Sequence, residues 1–110
     1  MAQKAAKSAL SKKAIDIRIL NLKKLSDVAD YFVICSGDVG QHVKAIADEI
    51  TENLREGGIK PWHSEGYGNT NWIILDFIDV VVHIFHKDAR AFYDLEGLWG
   101  DAPTDYIGEG

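Results

Sequence analysis

Residues 71–85 read Asn-Trp-Ile-Ile-Leu-Asp-Phe-Ile-Asp-Val-Val-Val-His-Ile-Phe, the densest run of β-branched and aromatic side chains in this 110-residue chain. Two such runs, 72–77 and 80–85, flank Ile78-Asp79, which reads as a β-hairpin. A two-residue turn places Asp76 opposite Val81, Ile74 opposite His83 and Trp72 opposite Phe85. Strand side chains alternate between faces. One face is then wholly apolar, with Ile73, Leu75, Phe77, Val80, Val82 and Ile84, and must be core. The other is mixed, with Trp72, Ile74, Asp76, Val81, His83 and Phe85. A three-residue turn would instead exchange the faces of the second strand.

The rest of the chain supplies what such a hairpin needs around it. Residues 1–13 are rich in Ala, Ser and Lys and read as an N-terminal helix or a flexible extension. Ile15, Ile17 and Ile19 alternate with Asp16, Arg18 and Leu20, a first strand over 15–21. Residues 30–37 form a near-continuous apolar run closed by Ser36-Gly37, the pattern of a central strand buried on both faces. Asp38 then stands near the N-cap of the next helix. In that helix Val43, Ile46, Ala47, Ile50 and Leu54 make one apolar stripe, and Gly57-Gly58 ends it. Residues 59–65 suit a short strand, at an edge because of Pro61. A loop over 66–71 leads into the hairpin. After it, Phe92, Leu95 and Trp99 make one apolar helical stripe, interrupted by Gly97, and residues 103–110 read as a polar tail. The expected fold is α/β: a single domain over residues 1–110 with a mixed sheet flanked by helices.

Composition narrows the function. No apolar run approaches the ~18 residues of a membrane span, and no apolar segment follows the N-terminal lysines as in a secretory signal. The single Cys35 has no internal disulfide partner, which fits a reducing cytosol, and its bland reading is a small buried hydrophobe. An organellar transit peptide is the lesser reading of the acid-free N-terminus, which has no Arg. The net charge of −5 is uneven: residues 1–30 hold seven Lys/Arg against three acids, residues 31–110 five against fourteen. An acidic body is a poor partner for naked nucleic acid and a better one for a basic protein surface.

Catalytic chemistry has little support in the residues. His42, His63, His83 and His86 show no ligand spacing with the one cysteine, so no metal site is expected. Ser36-Gly37-Asp38-Val39-Gly40 lacks both a P-loop lysine and a G-x-G-x-x-G pattern. Asp76 and Asp79 bracket the hairpin turn and could hold Mg²⁺ in a nucleotidyltransferase, or simply form the turn. On the mixed face, Trp72 and Phe85 beside Asp76 and His83 have the makeup of a protein-binding patch. A helix that covers the face accounts for the same pattern, and both readings are open at this point.

Several long segments in order resemble the ribosome silencing factor family, also called Iojap-like. They are Asp30-Tyr31-Phe32-Val33-Ile34-Cys35-Ser36-Gly37, Gln41-His42-Val43 with Ala45-Ile46-Ala47-Asp48, and Glu65-Gly66. Trp72-Ile73-Ile74-Leu75-Asp76, Asp79-Val80-Val81-Val82-His83-Ile84-Phe85 and Arg90-Ala91-Phe92-Tyr93-Asp94-Leu95-Glu96 with Leu98-Trp99 continue it, so that it spans residues 13–102. The resemblance implies a nucleotidyltransferase-like scaffold without the catalytic motif, and a translation factor that is not an enzyme and needs no cofactor. It implies binding to ribosomal protein L-fourteen on the large ribosomal subunit, a block of small-subunit joining, repression of translation in the bacterial cytoplasm, and a homodimer in some members. Trp72, Asp76, His83 and Phe85, extended by Tyr93 and Asp94, are the expected partner-binding residues. A metal-dependent nucleotidyltransferase and a homodimeric interaction module are the alternatives. Two positions depart from the family pattern: Ile78 stands where many relatives have Gly, and Gly97 where a helix former is usual.

Overall fold

The structure is a computed structural model that describes residues 1–108. Helix α1 (Ala2–Ser11) precedes strands β1 (Ile15–Asn21) and β2 (Tyr31–Gly37), then helix α2 (Gly40–Glu56). Strands β3 (His63–Glu65), β4 (Trp72–Asp76) and β5 (Val80–His86) follow, then helices α3 (Lys87–Tyr93) and α4 (Leu95–Leu98) and strand β6 (Thr104–Ile107). All six strands form one mixed sheet in the order β3-β4-β5-β2-β1-β6. Among the described residues only the β2–β5 pair is parallel. A parallel pair needs a crossover connection, and the chain between β2 and β5 supplies it with α2 on one face.

The hairpin turn is two residues long. Trp72 pairs with Phe85, Ile74 with His83 and Asp76 with Val81, and the Phe77 N–H donates to the Val80 carbonyl at 2.9 Å. Ile78 carries the strain of this turn with φ 74°. The Asp79 N–H reaches back to the Phe77 carbonyl at 3.0 Å, an i to i+2 bond closed around a β-branched residue. The Asp76 carboxylate accepts from the Ile78 N–H at 2.8 Å and holds the turn. At the other end of β4, Gly66 (φ 93°) lies under the Trp72 carbonyl where a Cβ would collide, so the loop can deliver Trp72 to the sheet edge.

The apolar hairpin face is core. Ile73, Leu75, Phe77, Val80, Val82 and Ile84 pack with Val33, Cys35, Ile17 and Ile19 under Val43, Ile46, Ala47, Ile50 and Leu54 of α2. Burial of each such aliphatic side chain contributes about 1.5–3 kcal/mol. The N-terminal segment is helical because Ala2, Ala5, Ala6 and Ala9 form a small-residue face against this core. The Asn53 amide donates to Ser8 Oγ at 2.8 Å and ties α1 to α2.

Two expectations change. Thr104–Ile107, within the expected polar tail, is strand β6, with Ile17 opposite Ile107 and Leu20 opposite Thr104. Its alternation is too short to stand out, and it is a strand because β1 offers an open edge. Residues 109–110 of that tail lie outside the described residues. The C-terminal helix is not continuous: Asp94 adopts a left-handed conformation (φ 45°) and divides it into α3 and α4. Gly97 lies close under the Asp94 side chain, where a Cβ would oblige the carboxylate to move. Asp38 does stand near the N-cap of α2: Val39 is the N-cap, and the preceding Asp38 N–H donates to His42 Nδ1 at 2.9 Å.

The strain at Ile78 yields a prediction. The side chain is 59% exposed, so little packing is lost with it. Ile78→Gly is expected to raise the unfolding free energy by about 1 kcal/mol, the usual cost of left-handed backbone for an L-residue, measured by urea denaturation.

Candidate functional site

The second face of the sheet decides what this molecule can meet. Its β1 side is sealed: Leu20, Leu22, Ile34, Phe85, Leu95 and Ala102 form a second apolar cluster, with Trp72, Phe32, Ala89 and Trp99 packed against it. Arg90 of α3 locks this cover down. Its guanidinium donates to the Asp16 carbonyl at 2.7 Å, the Ser36 hydroxyl at 3.0 Å and the Ile15 carbonyl at 3.3 Å. Its Nε donates to Glu96 of α4 at 2.8 Å. Asp16 sits beside it. A hydrogen bond from Arg18, together with the charges of Arg90 and Arg18, holds its carboxyl below the usual carboxylate range against the opposing effect of burial.

Where this cover ends, an aromatic platform begins. The Trp72 indole stacks on Phe85 (centroids 4.9 Å, planes 27° apart) and meets Tyr93 at 4.9 Å. Phe92 packs edge-on against Tyr93 at 5.2 Å and is 82% exposed. Tyr93 is 46% exposed and Leu98 of α4 75% exposed. Next to them Phe32 meets Trp99 edge-on at 6.0 Å. Farther along the same face, toward the hairpin turn, Val28, Trp62, Asp76, Ile78 and Val81 line an open groove of about 410 Å³.

The six expected contact residues separate into surface and support. Trp72, Tyr93, His83 and Phe85 come together in one aromatic cluster. Phe85 is fully buried beneath Trp72 and Tyr93, and His83 is 5% exposed. Neither can touch a partner directly, which corrects their reading as contact residues. The mixed face is covered at β5 because β5 is a central strand, whereas β4 lies nearer the edge. Asp76 is half-buried and two residue pairs from the cluster, engaged in the turn. Asp94 is exposed and serves as the hinge between α3 and α4.

Phe92 shares a helical stripe with Leu95 and Trp99 in the sequence, yet Leu95 is buried and Phe92 is turned outward by the chain break at Asp94. Leu98, Trp62 and Val28 were missed. Their signal was an apolar type outside every strand and helix stripe, which is weak because loops also carry such residues.

His83 explains itself by chemistry. The Trp72 indole Nε1–H donates to its Nδ1 at 3.0 Å. An indole nitrogen can only donate, so Nδ1 carries the lone pair and the neutral ring has its proton on Nε2. Burial pushes the imidazole down to about 3. Cys35 is likewise inert: burial pushes its thiol up to about 12. Among the described residues no three His, Cys, Asp or Glu side chains are grouped to hold a metal ion, and no helix is long and apolar enough to cross a membrane.

Sheet, helical cover and platform together define a small α/β protein of mixed sheet, helix-sealed on one face and aromatic on part of the other. The family model described as "Ribosomal silencing factor during starvation" matches residues 1–109, and the chain belongs to that family. It is 48% identical over 102 residues to ribosomal silencing factor RsfS of Halalkalibacterium halodurans, covering 93% of this chain and 87% of that one. It is also 48% identical over 99 residues to RsfS of Bacillus subtilis, covering 90% and 84%. Protein Iojap of maize chloroplasts is 38% identical over 100 residues, covering 88% of this chain and 42% of its own. A crystal structure of a Bacillus halodurans protein superposes with a TM-score of 0.84 at 43% identity, covering 96% of this chain and 95% of that one. One from Chromobacterium violaceum gives 0.87 at 31%, covering 97% and 89%.

The buried neutral His83 makes stability pH-dependent. Its folded value lies below the unfolded value, so the unfolded chain binds the extra proton between about 6.5 and 3, and stability falls as pH drops through that window. Between pH 7 and pH 5 this one group is expected to cost about 2 kcal/mol, checked by urea denaturation of wild type against His83→Asn, which lacks that slope.

Proposed function

We propose that this protein represses translation in the bacterial cytoplasm by binding ribosomal protein L-fourteen on the large ribosomal subunit and sterically excluding the small subunit. The observation that carries this reading is the aromatic platform of partly buried Trp72 on β4 with exposed Tyr93 and Phe92 on α3, beside exposed Leu98 on α4. Exposed aromatic anchors of this kind dominate protein interfaces. The rest of the support is the chain's family and its charge. Residues 31–110 carry five Lys/Arg against fourteen acids, which suits a basic ribosomal protein surface and steers it into place. In this reading Trp72 and Tyr93 are anchors, joined by Phe92. Asp94 fixes the angle between α3 and α4, Asp76 is a polar contact at the far end of the face, and Phe85 and His83 support the platform from below.

No catalytic step and no cofactor enter this mechanism. Occupancy of one surface is sufficient, because two bodies cannot share the same space. A nucleotidyltransferase reading built on Asp76 and Asp79 finds the Asp76 carboxylate engaged with the Ile78 N–H. The Asp79 carbonyl accepts from Asp30 at 2.8 Å and from Tyr31 at 3.1 Å, ordinary turn chemistry. A thermal-shift screen with Mg-ATP and Mg-CTP tests it, and a clear shift would revive it.

Co-sedimentation with separated subunits, followed by a subunit-joining assay, tests the proposal. The protein is expected to pellet with the large subunit alone and to block joining. Phe92→Ala removes a side chain on which the fold does not lean, and Tyr93→Ala one that is half open. Each is expected to weaken binding by about 2 kcal/mol, roughly 30-fold, with the thermal melt little changed. Binding to the small subunit alone, or unchanged affinity in both variants, would sink the reading.

A further inference from the structure

Building on the docking reading above, we infer that His83 is a positioning residue: through Nδ1 it accepts the indole N–H of Trp72 and fixes the orientation in which that indole is presented to a partner. Three observations converge on this. First, the bond is the one side-chain hydrogen bond of Trp72 among the described residues, 3.0 Å long and formed diagonally across the β4–β5 ladder between residue pairs two apart. Second, the imidazole itself has no freedom. It is buried, Phe32 packs edge-on at 4.5 Å from its centroid, and it forms no ion pair among the described residues. Third, its remaining nitrogen, Nε2, is buried without a hydrogen-bond partner. An unpaired buried N–H is costly, so a residue that served only to fill space would be better replaced by an apolar side chain of similar size. Histidine here supplies an acceptor that no aliphatic or phenyl group can.

The indole needs this acceptor because its other contacts constrain it incompletely. Phe85 stacks on it and Tyr93 leans on it at 44°, and flat aromatic contacts permit sliding and flipping within their planes. A single directional hydrogen bond at the ring nitrogen removes that freedom. Pre-organised anchors lose less entropy on binding, so the effect falls on affinity rather than on folding.

The test separates the contact from its consequence. In ¹⁵N-labelled free protein, a scalar coupling across the bond should link Trp72 Nε1 to His83 Nδ1, and the His83 ring should show the tautomer protonated at Nε2. Absence of the coupling, or the opposite tautomer, overturns the inference whatever the ribosome does. His83→Leu should leave the far-ultraviolet dichroism native, mobilise the Trp72 indole in ¹⁵N relaxation, and weaken large-subunit binding about five- to tenfold. His83→Asn, which keeps an oxygen near the Nδ1 position, should restore most of that loss. In a Trp72→Phe background, which has no indole N–H, adding His83→Leu should change nothing further. Equal losses for Leu and Asn, or no loss for Leu, would show that His83 acts by packing alone. If wild type fails to bind the large subunit, the docking reading falls, while the coupling still decides the His83–Trp72 contact.

Discussion

The parallel pairing of β2 with β5, from Tyr31 opposite Val80 to Gly37 opposite His86, dictates most of what surrounds it. Two strands in the middle of a six-stranded sheet have no solvent-facing side, so each face needs its own cover. One cover is generous. The long stripe of α2 and the alanine face of α1 seal the apolar side from end to end. The other is short, because α3 and α4 together are only a few turns long and reach just part of the second face. The covering helices themselves carry exposed apolar side chains at their outer ends, Phe92 and Tyr93 on α3 and Leu98 on α4.

Besides apolar packing, the short cover is held in place by charged side chains, Arg90 above all. Arg90 spans from α3 to β1, β2 and α4. It can do so because β1 is irregular at its start: the register shifts between Ile15 and Arg18, and Asp16 adopts φ 47°. The shift turns two successive carbonyls toward the guanidinium. A buried cation is costly unless it is paired and hydrogen-bonded, and this one meets carbonyls, a hydroxyl and the Glu96 carboxylate. The arrangement therefore stores its strain in β1 and spends it on the geometry of α3. Since α3 also carries Phe92 and Tyr93, the contacts of Arg90 help to set the position of the aromatic platform.

The platform is layered in the same sense. Phe85 and His83 lie below, Trp72 and Tyr93 above them, and Phe92 outermost. Burial increases inward, and two polar groups act directionally: His83 toward the indole and Asp76 toward the Ile78 amide. Each polar group is used to fix the angle of something apolar.

The hairpin register, the apolar face of β4 and β5, the stripe of α2 and the edge position after Pro61 were all legible in the sequence. They follow from local periodicity, which a chain carries wherever it folds. The family segments were legible too, and with them the class of protein. What the sequence could not give is how far the second face is covered. His83, Phe85 and Trp72 share one alternation pattern, yet two are buried and one is half open, because β5 is central and β4 is not. Phe92 and Leu95 share one helical stripe, yet one is solvent-exposed and the other buried, because Asp94 turns the chain between them. The strand in residues 104–107 exists only because β1 has an edge to offer it. Periodicity records which side of its own element a residue faces, and only the assembled sheet and its unequal covers decide whether that side meets protein or water.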